Sequence, residues 1–255
     1  MANNYLYIGP PGSGKTYKAK SKIIEIIKNK ELSNLKSAFP SSTLSVADLD
    51  GDANEVFALL RENFGDVISV VSMHPGYGYS DFVEGVSVSS KHGRVTFSNK
   101  KKVFLSLVDN MNTKGCAGFI VLDDIDRVNI SMVFGELLDA LENRDAEYTL
   151  IGGNTVRIPE NLYVILTMRT MQSANRPDYA FLRRFNIERL VANDGNLSKA
   201  INDFVTNNSS SIKDVAKTQS QVDEILGVPG KKGLYDYYND IAKNVMYEFK
   251  DNSED

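Results

Sequence analysis

Residues that could bind a phosphate stand near the start of the chain, in the segment Gly9–Thr16, whose sequence is GPPGSGKT. The segment follows an apolar run, Tyr5–Ile8, and opens a stretch, Tyr17–Asn29, that we predict to be a helix. A strand, a glycine loop and a helix are the context that the phosphate-binding loop G-x-x-x-x-G-K-[ST] requires. Glycines let the backbone wrap around a phosphate, and the loop N–H groups and the helix N-terminus face the anion. The segment therefore predicts a site for a nucleoside triphosphate.

Two side chains of this loop have separate chemical tasks. We expect Lys15 to reach the β- and γ-phosphates and the hydroxyl of Thr16 to ligate Mg²⁺. The other residues that we predict to bind the nucleotide line the loop or begin the helix, and they are Gly9, Pro11, Gly12, Ser13, Gly14 and Tyr17.

A second apolar run, Gly118–Leu122, leads directly into two carboxylates, Asp123 and Asp124. An acidic pair at the end of a buried strand, in a chain that also carries a phosphate-binding loop, is typical of the Walker B element. Asp123 would then hold Mg²⁺ from its outer coordination sphere, and Asp124 would polarise the attacking water. The sequence thus predicts a metal pair, Thr16 and Asp123, with Asp124 as a catalytic residue.

Three arginines extend the predicted site. The strand Leu162–Met168 ends beside Arg169, where a polar residue could sense the γ-phosphate. Arg183 and Arg184 follow, and we expect both to project from the edge of the subunit. An arginine donated to a neighbouring subunit would stabilise charge in the transition state, so that hydrolysis would depend on assembly. The alternative for this pair is surface charge near the end of a helix.

Composition limits the remaining possibilities. The chain has 255 residues, enough for one α/β domain with a small appendage, and its formal net charge of −4 gives no global basic surface. Its one cysteine, Cys116, excludes an internal disulfide and is expected to be a buried thiol rather than a nucleophile. No apolar run is long enough to span a membrane, and the N-terminus lacks the pattern of a signal peptide. These features predict a cytoplasmic protein without a membrane contact.

Other segments outline the fold. Val67–Met73 is a β-branched run typical of a strand buried on both faces of a parallel sheet, and Ile187–Val191 is a further short strand. Leu35–Asp52 reads as a loop, and one continuous helix is expected to present Phe134, Leu137, Leu138 and Leu141 on a single face. From Leu197 onward the pattern indicates three helices.

Two segments have the pattern of β-hairpins, Val86–Phe97 and Tyr148–Ile158. The first lies in the most basic stretch of the chain, 86–102, which contains Lys91, Arg94 and Lys100–Lys102. This stretch is either a solvated hairpin or a surface that contacts DNA or another polyanion.

Five motifs together resemble the AAA+ ATPases, and more narrowly the McrB type, the GTP-driven motor subunit of modified-cytosine restriction systems. They are GPPGSGKT (9–16), HPGYGYSDFVEG (74–85), FIVLDDIDRVNISMVFGELLDALE (119–142), PENLYVILTMRT (159–170) and FLRRF (181–185). The resemblance implies an α/β fold with a five-stranded parallel sheet of order 5-1-4-3-2, helices on both faces and β-hairpin inserts. It also implies a nucleotide-binding domain over 1–192, a helical lid over 193–255 and a hexameric ring, with the hairpin after the second strand facing the pore.

Two departures from that family concern the chemistry. The family has glutamate where this chain has Asp124, so the carboxylate is shorter by one methylene, and water activation is expected to be slower. The family's sensor asparagine is replaced by Arg169, whose guanidinium could either bind the γ-phosphate or pair with Asp124 and silence it. The preference between ATP and GTP stays open.

The leading hypothesis is a ring-forming, Mg²⁺-dependent NTPase that resembles McrB and drives a larger assembly. By resemblance, its partner would be a McrC-like nuclease or activator, in antiviral defence or its phage-encoded counterpart. A second hypothesis, motivated by Asp124 and Arg169, is a nucleotide-bound structural or regulatory ring with little hydrolysis. A third is an ATPase that remodels proteins through the pore hairpin.

Overall fold

A computed structural model describes residues 3–91, 94–169 and 177–190 of the chain. The strands in these ranges are β1 Asn4–Ile8, β2 Ile68–Ser72, β3 Glu84–Lys91, β4 Arg94–Lys101, β5 Gly118–Asp123, β6 Glu147–Thr149, β7 Thr155–Arg157, β8 Leu162–Met168 and β9 Asn186–Arg189. The α-helices are α1 Lys15–Ile26, α2 Leu32–Ala38, α3 Ala53–Phe64, α4 Tyr79–Phe82, α5 Val103–Lys114, α6 Ile130–Phe134, α7 Leu137–Glu142 and α8 Tyr179–Leu182.

Five of the strands form one sheet in which every neighbouring pair is parallel, in the order β2-β5-β8-β1-β9. Numbered along the chain, these five strands read 5-1-4-3-2 from the β9 edge, which confirms the predicted order. All seven residues of the central strand β8 are buried. Continuous apolar strands of this kind occur where helices cover both faces of a parallel sheet. The sheet therefore brings the carboxyl ends of β1, β5 and β8 to one edge.

The first helical region is longer than predicted. Helix α1 is followed by a π-helical turn over Ile27–Glu31 and then by α2, so the expected loop of Leu35–Asp52 begins only after Ala38. The cause lies in Leu32 and Leu35, whose buried side chains continue the apolar face of α1. A 3₁₀ turn, Ala47–Leu49, interrupts the rest of that loop.

The prediction of a single helix around Phe134–Leu141 is wrong, because the helix is broken at Gly135, between α6 and α7. Gly135 has φ of 51°, and a Cβ atom there would lie 3.1 Å from the ring of Tyr79. A positive φ and a close aromatic ring both favour glycine at this position. The break turns the carboxylate of Glu136 back towards Tyr79, whose hydroxyl donates to it at 2.9 Å.

Both predicted hairpins are present, as β3–β4 and β6–β7, and one buried carboxylate joins them. Glu84, at the start of β3, accepts hydrogen bonds from the backbone N–H of Gly152 and from the side-chain amides of Asn154 and Asn99. Asn99 also donates to the carbonyl of Gly152 at 2.7 Å. We call Glu84, Asn99 and the turn 150–154 the hairpin junction.

The chain forms two compact units, of which the first comprises residues 1–9 and 15–189 and contains the whole sheet. Among the described residues, 10–14 and 190 belong to the second. The predicted lid, 193–255, and its three helices lie outside the described residues. Among the described residues, no helix is both long and apolar enough to cross a bilayer.

Replacing Glu84 with alanine is expected to loosen the hairpin junction without unfolding the sheet. Hydrogen bonds to a buried charged group are worth about 1.5–3 kcal/mol each, and their loss leaves three amide donors without this acceptor. Hydrogen exchange at the amide of Gly152 should accelerate by about tenfold or more. Glu147→Ala, at an exposed position of β6, is the matched control. Equal exchange rates in both variants would contradict this role for Glu84.

Candidate functional site

The loop between β1 and α1 has the backbone that its glycines predict. Gly12 and Gly14 both have φ of 78°, a region that residues with a Cβ rarely adopt. The N–H of Ser13 donates to the carbonyl of Pro10 at 3.2 Å, so the loop makes a tight turn before α1 begins at Lys15. Pro11, Gly12 and Gly14 are exposed, and Ser13 is half-buried.

The ammonium group of Lys15 is fixed at the base of this loop. Its Nζ donates to the carbonyl of Gly9 at 2.8 Å, and the residue is buried. Burial lowers the pKa of Lys15, while the charges of Asp124, Asp123 and, more weakly, Asp126 act in the opposite direction. The Lys15 ammonium thus lies within the field of the carboxylates that follow β5.

The two residues that are predicted to hold the metal ion contact each other. The hydroxyl of Thr16 donates to the carboxylate of Asp123, at 3.0 and 3.2 Å from its two oxygens. These residues come from α1 and from the end of β5, so this contact joins the phosphate-binding loop to the Walker B strand. Hydroxyl and carboxylate oxygens are the ligands that Mg²⁺ prefers.

Thr167, near the end of β8, holds both aspartates in place. Its hydroxyl donates to the carboxylate of Asp123 and accepts the backbone N–H of Asp124 at 3.0 Å. One side chain therefore fixes the ligand carboxylate and the start of the turn that follows it. Thr167 itself is fully buried, so its position is set by the sheet.

The carboxylate of Asp124 is half-buried and forms an ion pair with Arg127, three residues further on, at 2.8 Å. Asp124 has φ of 58°, a left-handed conformation that aspartate tolerates better than most residues. The predicted water-activating carboxylate is thus already paired with a cation of its own turn.

Arg169, at the end of β8, pairs with Asp126 and not with Asp124. Its Nε and Nη2 atoms both lie 2.9 Å from Oδ2 of Asp126, and its backbone N–H donates to Oδ1 at 3.1 Å. The sequence left open whether Arg169 binds the γ-phosphate or pairs with Asp124. The structure does not contain the pair with Asp124.

The predicted arginine pair divides into one exposed and one buried residue. The side chain of Arg183 is 51% exposed and lies 3.0 Å from Glu142. The side chain of Arg184 is only 8% exposed and contacts Asp139 at 3.0 Å and Glu142 at 2.7 Å. The expectation that both arginines project from the subunit edge is therefore wrong for Arg184, because two acidic side chains of α7 hold it inward.

Two further predictions concern residues outside the carboxylate cluster. Tyr17 is exposed on α1, and its carbonyl accepts a hydrogen bond from Ser21. Cys116 is buried immediately before β5, and burial raises the pKa of its thiol. Both observations on Cys116 fit the predicted buried thiol.

The described side chains of the β3–β4 hairpin show an apolar face more clearly than a basic one. Val86, Val88, Val95 and Phe97 are 59–72% exposed, and the strand register places all four on the same face. Among the basic residues of the stretch 86–102, Lys101 pairs with Asp109 at 2.6 Å. The contact with DNA through this stretch stays a prediction.

Sequence reasoning did not assign roles to three of the residues that organise this site, namely Thr167, Asp126 and Arg127. A signal for Thr167 exists, since it is a polar residue inside an otherwise apolar central strand. No such signal exists for Asp126 and Arg127, because their pairing depends on the backbone turn at Asp124.

Comparisons with known proteins bear on the identity of this chain. The model of the AAA domain, dynein-related subfamily, matches residues 54–185, slightly more than half of the chain. The chain belongs to this family. The match covers the Walker B strand, β8 and the arginine pair, whereas the phosphate-binding loop lies before it and is supported by its motif and its backbone.

The chain is also 26% identical, over 196 residues, to the type IV methyl-directed restriction enzyme EcoKMcrB subunit of Escherichia coli K12. The similarity covers 73% of this chain and 35% of that protein, so the chain spans only about a third of this relative. A crystal structure of a candidate ATPase from Cytophaga hutchinsonii overlaps 80% of this chain and 46% of its own, with 17% identity and a TM-score of 0.43. The family match and the sequence similarity to McrB, and not this structural overlap, identify the chain as an AAA+ ATPase related to McrB.

Among the described residues, no cluster of three or more histidine, cysteine, aspartate or glutamate side chains is arranged to hold a metal ion. Thr16 and Asp123 nevertheless fit Mg²⁺, which commonly takes one or two protein oxygens and completes its octahedron with phosphates and water. A metal bound here would therefore depend on the nucleotide.

Replacing Thr167 with valine is expected to weaken nucleotide binding in the presence of Mg²⁺ by about five- to thirtyfold, since the isosteric side chain removes both hydrogen bonds to the aspartates. Binding without Mg²⁺ should change little, because Lys15 is untouched. Calorimetric titration with and without Mg²⁺ measures the difference. Thr167→Ser should retain the affinity, and Thr155→Val, at an exposed position of β7, is the matched control. Equal losses with and without Mg²⁺ would contradict this role.

Proposed function

We propose that this protein is an Mg²⁺-dependent nucleoside triphosphatase that works as a ring of identical subunits and drives a larger, McrB-like assembly. One observation carries the proposal. The hydrogen bond between Thr16 and Asp123 brings the phosphate-binding loop and the Walker B strand together, although 107 residues separate them in sequence. Lys15, Asp124 and Arg169 border the same edge of the sheet.

The roles of the side chains follow from this geometry. Lys15, anchored on the carbonyl of Gly9, presents its ammonium to the β- and γ-phosphates. Thr16 and Asp123 would hold Mg²⁺, which neutralises phosphate charge when bound. Asp124 orients the attacking water and accepts its proton, once its carboxylate is released from Arg127.

The proposal of a ring is supported by the exposure of Arg183. Arg183, on the edge strand side of the sheet and half exposed, is the residue that could reach a neighbouring subunit. There its guanidinium would stabilise the charge that develops on the transferred phosphoryl group. Arg184 would support Arg183 from within the subunit, because its contacts are internal.

The larger assembly is proposed from the relationship to the McrB subunit. By that relationship, the partner is a McrC-like nuclease or activator, and the process is antiviral defence in the cytoplasm. The β3–β4 hairpin is the candidate for contact with DNA. A salt titration of DNA binding tests this contact, since phosphate contacts weaken steeply as salt rises.

One observation favours a second function, a nucleotide-bound structural or regulatory ring with little hydrolysis. The carboxylate of Asp124 is short by one methylene relative to the family's glutamate and is engaged by Arg127. A base that must first leave an ion pair reacts more slowly. The two functions differ in turnover, not in nucleotide binding.

Phosphate release from the purified protein separates the two functions. With Mg²⁺ and ATP or GTP, turnover per subunit should rise with protein concentration over the range in which rings assemble. Asp124→Asn should abolish release and retain tight nucleotide binding, whereas Lys15→Ala should lose binding. Lys18→Ala, an exposed lysine of the same helix, is the control. Tight binding by the wild-type protein without phosphate release would favour the structural ring.

Mixing two inactive variants tests whether the site is shared between subunits. Lys15→Ala removes a residue that acts within its own subunit, and Arg183→Ala removes one that acts on the neighbour. In a mixed ring about one site in four has both intact groups, by random mixing around a head-to-tail ring. Equal mixtures should therefore regain about a quarter of the wild-type turnover. A mixture that stays inactive would contradict the trans role of Arg183.

A further inference from the structure

A cation at the end of β8 poses an electrostatic problem for the site. Arg169 follows the strand that carries Thr167, and Asp124 lies in the turn that Thr167 holds. Lys15, Asp124 and Arg169 follow the carboxyl ends of β1, β5 and β8, which are parallel neighbours, so all three groups lie at the same edge of the sheet. An unrestrained guanidinium there would compete for the carboxylate that orients water.

The structure gives this cation its own anionic partner. The side chain of Asp126 is 1% exposed, and both of its oxygens are used on Arg169, one by the backbone N–H and one by Nε and Nη2. A buried carboxylate bound to a guanidinium by more than one hydrogen bond is a strong and directional contact. The side chain of Arg169 remains 39% exposed, and these contacts leave its Nη1 atom out of the pair.

We propose that Asp126 is a positioning residue, which aims the guanidinium of Arg169 at the γ-phosphate and keeps it away from Asp124. In this role Asp126 acts through Arg169. Its effect is to make a cationic sensor compatible with an aspartate base in the same turn. The inference rests on the proposed function, because it requires a triphosphate in the site.

A positioning role and a purely structural role of Asp126 have different effects on nucleotide affinity. A residue that only supports the fold would weaken the binding of diphosphate and triphosphate equally. If Arg169 no longer points at the γ-phosphate, only the binding of the triphosphate weakens, because Lys15 and the loop still hold the phosphates that both nucleotides have. The ratio of the two affinities is therefore the decisive quantity.

The experiment uses Asp126→Asn, Arg169→Asn and the double variant. Affinities for Mg·ADP and for a non-hydrolysable ATP analogue are measured by calorimetry, with the GDP and GTP counterparts in parallel, and phosphate release is measured at saturating nucleotide. Thermal unfolding of each variant reports on the fold. Asp145→Asn, Arg157→Asn and their double variant are the matched control. This exposed Asp–Arg pair lies at the base of the β6–β7 hairpin, just before β6 and at the end of β7.

In Asp126→Asn, the preference for triphosphate over diphosphate should fall about tenfold, the effect of losing one well-directed charged contact. Turnover should fall further, because the released Arg169 is free to pair with Asp124. The double variant should recover turnover relative to Asp126→Asn, since no guanidinium remains to compete. The control pair should change neither quantity.

Three results would overturn the inference. They are an unchanged affinity ratio in Asp126→Asn, an equal loss of both nucleotides, and losses in the double variant that equal the product of the single losses. Failure of the proposed function is recognised separately in the wild-type protein, by the absence of phosphate release. The affinity ratio still tests Asp126 in that case, because it requires binding but not hydrolysis.

Discussion

The hydrogen bonds of Thr167 to Asp123 and Asp124 are the contacts on which the site depends. A buried hydroxyl on the central strand β8 reaches the end of β5, and Asp123 in turn accepts from Thr16 at the start of α1. Three elements that are distant in sequence therefore meet through two threonine hydroxyls and one carboxylate. Because Thr167 is fixed by the sheet, the geometry of the site inherits the rigidity of the core.

One short turn carries three carboxylates of the site, and each has a different partner. The segment Asp123–Arg127 supplies a carboxylate held by the hydroxyls of Thr16 and Thr167, a carboxylate held by Arg127 and a buried carboxylate held by Arg169. Each acidic group thus has a different partner, although all lie within a few residues. Environment, more than residue type, separates their roles, since pairing and burial change what a carboxylate can do.

Sequence predicted the buried strands, the hairpins and the acidic pair because these features depend on local patterns, whereas the order of the strands in the sheet was implied by the family resemblance. Apolar runs such as Leu162–Met168 identify buried strands, and the phosphate-binding loop fixes where the first strand ends. The break at Gly135 was not predictable, since the ring of Tyr79 that leaves little room for a Cβ atom at this position is remote in sequence. The burial of Arg184 was likewise not predictable, because two carboxylates of α7, which lies about 40 residues earlier in the chain, draw its side chain inward. Both differences come from tertiary contacts that override local preference.

The hairpin junction holds the β3–β4 hairpin at its base, so a rotation there moves the far end of the hairpin by a larger distance. Glu136, which follows the break after the Walker B segment, accepts from Tyr79 and from the N–H of Ile151, next to the turn that Glu84 holds. The eight residues of β3 extend about 26 Å at the usual rise of about 3.3 Å per residue. A rotation of about 5° at the junction would then displace the far end of the strand by about 2 Å, which is the geometric gain of an arm of this length. A small rotation at the hairpin junction is therefore magnified at the far end of β3.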